Sequence, residues 1–206
     1  MTRIDAWRGK LQLTKELKSE LTAAFDSDDL RVRAAGVEVD LAALGLAKTP
    51  GTVEHLAKKA ASGPQSQRVW AEWEMALLGS RGVEKERTTH LLISQTQDPN
   101  VEVRRWAVLG LAFLGTDETI SPLLKAFHDD PSPKVREEAA RALARSGMFT
   151  REQRQVAVPK LLDDAADSSL DSQTHDWAFR ALQQITGQDL PNEAAVWRDW
   201  YNRHRS

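Results

Sequence analysis

The sequence predicts an all-α protein: a solenoid of about five helical hairpins, closed by a capping helix at its C-terminus. Three observations carry this. Five segments end alike, each on a closing glycine, with the glycines 34, 36, 32 and 40 residues apart. An apolar stripe with helical spacing recurs at the same place before each glycine. No stretch alternates apolar and polar residues in the way a strand requires. One amphipathic hairpin cannot bury its stripe alone, so stacked neighbours must cover it.

The closing segments are Leu41–Gly45, Met75–Gly79, Leu111–Gly115, Leu143–Gly147 and Leu182–Gly187. A glycine just past an apolar run is a helix C-cap, because it enters the left-handed region without a Cβ clash. The starts of the same helices are also marked. Asp98-Pro99-Asn100 precedes Val101, Asp130-Pro131-Ser132-Pro133 precedes Lys134, and Asp28-Asp29 precedes Leu30. Small oxygen-bearing side chains cap the free amides of a first turn, and proline fits there at little cost.

A second helical segment precedes each of these. The predicted pairs are 4–25 with 30–44, 52–62 with 65–78, 82–97 with 100–114, 117–128 with 133–146, and 150–164 with 171–186. Repeats then span about 4–45, 51–79, 81–115, 116–147 and 149–187, with a cap at 192–204, in a single domain over 1–206. Within the second helices Val103, Ala107, Leu111 and Leu114 form the stripe. Val135, Ala139, Leu143 and Ser146 repeat it, as do Thr174, Ala178, Leu182 and Ile185.

The pattern Asp-Pro-x-x-x-Val-Arg-x-x-Ala, closed by Leu-x-x-x-Gly, resembles bacterial HEAT repeats of the bilin-lyase-like type. It is clearest in repeats three and four and faintest in repeat two, where Gln67 takes the valine position. The ending, Ile185-Thr-Gly-Gln-Asp189 followed by Trp197-Arg-Asp-Trp200-Tyr201, resembles that of many such proteins. The resemblance implies a right-handed α–α superhelix with the second helices on its concave side. It says little about function, since the fold hosts adaptors, scaffolds and a few enzymes.

Composition narrows the classes. The net charge of −2 argues against a duplex nucleic-acid partner, which favours a basic surface. The absence of cysteine removes disulfides, thiolate metal sites and cysteine nucleophiles. The N-terminus lacks the apolar run of a signal peptide, and no apolar stretch is long enough to span a membrane. The expectation is a cytoplasmic monomer with no cofactor and no metal.

Four sets of residues compete for a functional role. Arg33, Arg68, Arg104, Arg136 and His175 share one helical position. They form either a basic ladder for phosphates or, the favoured reading, a set of tethers to inter-repeat aspartates such as Asp98 and Asp130. Trp70, Trp106 and Trp177 share another position and are expected as wedges between repeats. Trp7, Trp197 and Trp200 are expected to cover the two open ends. Histidines fall in separate repeats, and His128-Asp129 and His175-Asp176 only loosely resemble metal-dependent phosphohydrolase pairs.

The outer face of the second helices is the favoured binding surface. Counting away from the stripe gives Val37, Glu38, Leu41, Val69, Glu72, Trp73, Arg105, Val108, Leu109, Glu137, Arg141, Asp176, Phe179 and Arg180. From these, Trp73, Glu72, Arg105, Leu109, Glu137, Arg141, Asp176 and Arg180 are the predicted binding residues. Arg105 lies about 200° round from Val103 and Trp73 about 240° round from Gln67, at about 100° per residue. Large apolar anchors flanked by charges are the composition of a protein-binding patch. The predicted function is a non-catalytic scaffold that binds a protein or peptide. One alternative is an enzyme of the HEAT-like alkylpurine DNA glycosylase kind, with Trp73, Glu72, Glu74, Arg105 and Trp106 forming its cleft. Another, resting on the repeat resemblance alone, is a bilin-lyase-like protein.

Overall fold

The computed structural model describes residues 3–25, 27, 29–146 and 148–204. Among them the backbone forms a 3₁₀ turn at Arg3–Trp7, eleven α-helices and no strand. The helices are α1 (Lys15–Phe25), α2 (Leu30–Ala43), α3 (Pro50–Ser62), α4 (Gln65–Ser80), α5 (Lys85–Gln95), α6 (Val101–Leu114), α7 (Asp117–Asp129), α8 (Pro133–Arg145), α9 (Arg151–Ala166), α10 (Ser172–Thr186) and α11 (Ala194–His204). Each odd-numbered helix from α1 to α9 pairs with the next to make a hairpin, and α11 folds back onto α9.

The helix starts follow from local chemistry. Asn100 accepts from the amides of Glu102 and Val103, Asp29 from that of Arg31, and Asp171 from that of Thr174. Thr150 and Gln153 cap each other's amides at the start of α9. Asp28 and the closing Gly147 lie outside the described residues. At the other ends, Gly115 and Gly187 close α6 and α10 with φ of 59° and 73°. Gly79 departs from its predicted role as a cap. Helix α4 runs on through Ser80, and a Cβ at Gly79 would stand 2.6 Å from Leu114 Cδ2 and 3.1 Å from Thr88 Cγ2. The glycine there serves the close approach of α4 to the third hairpin.

The predicted stripe is the core. Val103, Ala107, Leu111, Val135, Ala139, Leu143, Thr174, Ala178 and Leu182 are all buried. From α4 through α10 the second helices run closely alongside one another, more closely than the first helices do. The stack therefore curves with its second helices on the inner side. The N-terminal hairpin is joined differently: α2 meets α4 over only a short stretch.

The two ends are closed by different means. Trp197 is fully buried against the last hairpin, and Arg198 reaches Asp163 at 2.8 Å. Trp7 does not cover the other end, because its side chain is 58% exposed. The short N-terminal turn docks through backbone instead, with the Gly9 amide donating to the Ala42 carbonyl at 2.8 Å.

Candidate functional site

The arginine position first shows what holds the stack together. Arg104 donates two parallel bonds to Asp130, at 2.8 and 3.0 Å. Arg68 pairs with Asp98, and Arg136 with Asp171 at 2.6 Å. Each arginine also reaches a backbone carbonyl at the preceding turn: Arg68 that of Ala60, Arg104 that of Asp98 and Arg136 that of Asp130. Arg33 donates to the Ser27 carbonyl, and His175 Nε2 lies 2.8 Å from the Asp167 carbonyl. At Arg68, Arg104 and Arg136 the position is a tether from one hairpin to the next, as the favoured reading had it, whereas the bonds of Arg33 to Ser27 and of His175 to Asp167 lie within their own hairpins.

One turn beyond each tether lies a row that the sequence placed on the outer face. Val37, Glu72, Val108 and Phe179 are instead buried, as is Ala140 at the same register on α8. The reason is geometric. The second helices lie so close together that the sector beside each tether is covered by the neighbouring repeat, so the buried arc is wider than one helix's stripe. Leu41 is likewise in the core. Glu72 is the one acid in this row. It is 0% exposed, and neither carboxylate oxygen has a hydrogen-bond partner. Burial, opposed only in part by nearby Arg68, pushes its carboxyl up to about 9, so it is held neutral at pH 7. An enclosed carboxyl of this kind cannot take a place on a binding surface or in a cleft for a DNA base.

The remaining predicted residues sort into two groups. Glu137, Arg141, Asp176 and Arg180 are exposed on α8 and α10. Arg145 is exposed beside them, and among the described residues neither it nor Arg180 has a carboxylate partner. Arg141 bonds the largely buried Glu138 at 2.9 Å. Arg105 and Leu109 on α6 are half-buried, and Arg105 is bridged to Glu138 at 3.1 Å and to Glu102 at 3.3 Å.

Trp73 differs from the free anchor that its register suggested. Its indole N–H donates to Asp40 on α2 at 3.2 Å, and its ring is packed edge-on by Phe25, Phe113 and Trp106 at centroid distances of 5.6, 4.7 and 6.2 Å. Phe25 also meets Phe113 at 5.3 Å. The aromatic row continues to Trp70, 6.2 Å from Trp106 and 53% exposed. Trp70 thus packs on the next repeat through Trp106 but is not enclosed there, whereas Trp177 is buried. Period alone could not reveal Phe25, which comes from the first helix of another hairpin.

On the opposite face His128 joins α7 to the last hairpin. Its ring nitrogens lie 2.5 Å from Asp129 and 3.1 Å from Asp167, and Asp164, itself bonded by Lys160 at 2.6 Å, lies 4.0 Å away. The hydrogen bonds to Asp129 and Asp167 hold the imidazole above its ordinary value. The two carboxylates occupy both ring nitrogens, so neither lone pair is presented to a metal. Among the described residues no cluster of histidines and acids could hold an ion. No helix is long and apolar enough to cross a membrane.

Residues 89–183 match the family model for HEAT repeats. No curated protein matches the chain. Among solved structures it is similar to an engineered protein of the Northeast Structural Genomics Consortium, at 23% identity over 90% of this chain and 80% of that one, with a TM-score of 0.48. It is also similar to the complex of CpcE and CpcF of phycocyanin lyase from Nostoc sp. PCC7120, at 19% identity over 76% and 91% and a TM-score of 0.49. A third is a designed armadillo repeat protein in complex with the peptide (KR)4, at 18% identity over 100% and 94% and a TM-score of 0.48.

Proposed function

The chain is an α-solenoid with HEAT repeats over residues 89–183, and we propose that it is a non-catalytic scaffold holding a protein or peptide on its inner, second-helix face. The observation that carries this reading is the open row on α8 and α10. Glu137, Arg141, Asp176 and Arg180 stand in solvent there, on two closely packed helices. That row adjoins the half-buried Leu109 and Arg105 on α6 and leads to the exposed indole of Trp70. A rigid surface offering an aromatic anchor, an aliphatic one and charges of both signs suits a folded or extended polypeptide.

Site-specific photo-cross-linking tests this. A photo-reactive residue at position 180 should capture one host protein reproducibly, and one at Val156, exposed on the first-helix side, should not. Arg180→Glu should then weaken the complex roughly tenfold, with an unchanged melting temperature, because an exposed position carries little folding energy. Capture from position 156 alone would refute the inner face as the site.

A further inference from the structure

We propose that the inner face from α6 to α10 takes an extended acidic segment of a partner polypeptide: an apolar side chain on Leu109, a carboxylate on Arg141 and a second carboxylate on Arg180, at every third residue of the segment. The proposal rests on the scaffold reading above and names what that face holds.

The tethers set the row. Arg104, Arg136 and His175 share one register on α6, α8 and α10, and Leu109, Arg141 and Arg180 each follow five residues later. The three helices run closely alongside one another, so these side chains line up across the stack. Leu109 is half-buried, and Arg141 and Arg180 are exposed. Arg145, also exposed, stands one turn beyond Arg141 on α8. Arg141 already bonds the largely buried Glu138. Arg145 and Arg180 have no hydrogen-bond or ion-pair partner among the described residues. Guanidinium groups left open on a packed face are the complement of carboxylates, which they take in parallel pairs of bonds.

Charge is segregated along the same helices. Glu137 and Asp176, both exposed, lie one turn nearer the helix starts than Arg141 and Arg180. Acids therefore edge the row on one side and Arg145 on the other. A nucleic-acid strand, with a charge at every phosphate, would be driven off by those acids. A polypeptide can place its carboxylates singly.

Spacing fixes the form of the segment. Packed helices lie about 8–10 Å apart. A polyproline-type chain rises about 3.1 Å per residue with about three residues per turn, so every third side chain returns to one face after about 9 Å. The alternate side chains of a β-strand return after about 6.6 Å, which falls short. One turn of the segment per helix puts residues i, i+3 and i+6 over Leu109, Arg141 and Arg180. The tethers hold that spacing: Arg104 on α6 binds Asp130 before α8, and Arg136 on α8 binds Asp171 before α10.

The test titrates the full chain with the peptide acetyl-Leu-Pro-Ala-Glu-Pro-Ala-Glu-amide and follows backbone amide resonances. Binding should be saturable, with shifts at Leu109, Arg141 and Arg180, and should weaken as salt is added. The peptide with lysine in place of both glutamates should not bind. A peptide of the same composition with its glutamates adjacent should bind about tenfold more weakly. Arg145→Glu and Arg180→Glu in one chain should abolish binding of the glutamate peptide and admit the lysine peptide. The melting temperature of that variant should stay close to wild type, because exposed positions carry little folding energy. No saturable binding of the glutamate peptide, equal binding of the two glutamate spacings, or shifts confined to other helices overturns the proposal. Tighter binding of a single-stranded oligothymidylate would assign the face to nucleic acid and overturn it as well. The peptides need no host partner. Their failure beside reproducible capture from position 180 removes the acidic segment and leaves the scaffold reading standing.

Discussion

The last three hairpins and the first one are joined to their neighbours by different physics. Between α6, α8 and α10 the second helices lie closely alongside each other, and each junction carries an arginine–aspartate tether: the largely buried Arg104 to Asp130, then Arg136 to Asp171, whose carboxylate is exposed. Between α2 and α4 the helices meet over a shorter stretch. That junction includes an edge-packed phenyl ring, Phe25 on Trp73, an indole-to-carboxylate bond from Trp73 to Asp40, and the Arg81–Glu38 pair, while Arg33 donates to the Ser27 carbonyl. The span matching HEAT repeats, 89–183, lies within the tethered region. The contrast teaches that regular repeats join through closely packed second helices and repeated charge pairs, while a less regular junction relies on aromatic packing and a few unlike polar bonds.

The largest expected effect comes from cutting a tether. Asp130 is nearly enclosed and takes both bonds from Arg104. Asp130→Ala leaves a guanidinium in a largely buried place without its charge partner and should cost about 3–5 kcal/mol in chemical denaturation. Arg31, by contrast, pairs with Asp29 wholly in solvent. Arg31→Ala should leave the denaturation midpoint where it is. Similar losses for the two variants would erase the distinction between the regions.

A second effect comes from Glu72, at the boundary between them. Its folded carboxyl keeps its proton up to about 9, against an ordinary value of 4.5. The unfolded chain ionises above 4.5, so stability is greatest below that pH and falls as pH rises toward 9. At pH 7 the cost of keeping the group neutral is about 3 kcal/mol. Glu72→Met should therefore stabilise the chain at neutral pH and flatten its dependence on pH. Denaturation at pH 5 and pH 8 checks this, and a variant whose stability still falls in parallel with wild type would contradict it.

The smallest effect belongs to the first-helix side of the tethered region. His128 is held above its ordinary 6.5 by Asp129 and Asp167. Its clasp is fully formed below that value and is lost as pH rises through the raised one. His128→Asn should lower stability at pH 6 by about 1 kcal/mol or less and leave it unchanged at pH 9. A loss of the same size at both pH values would show that the ring packs and does not clasp.

These residues also show how far the sequence could be read. The stripe, the caps at Asn100 and Asp171, and the pairing of Arg68 and Arg104 with Asp98 and Asp130 follow from spacing and local chemistry. So does the exposure of Glu137, Arg141, Asp176 and Arg180, which lie furthest round from the stripe. Glu72 and Val108 were misplaced because their burial is set by the distance between neighbouring helices, which one helix's period does not contain. Trp73 has the register of a free anchor, but a phenyl ring from α1 covers it. Only a long-range contact decides that. Gly36 is the sole local trace of Phe25, a glycine inside a helix where a side chain would collide with it.

Native-state hydrogen exchange on the full chain tests most directly whether the two regions are joined differently. Amides of α1 and α2 should exchange through an opening that leaves α6, α8 and α10 protected, as a weakly joined unit does. Protection that is uniform from α2 to α10, lost in one step under denaturant, would contradict the account.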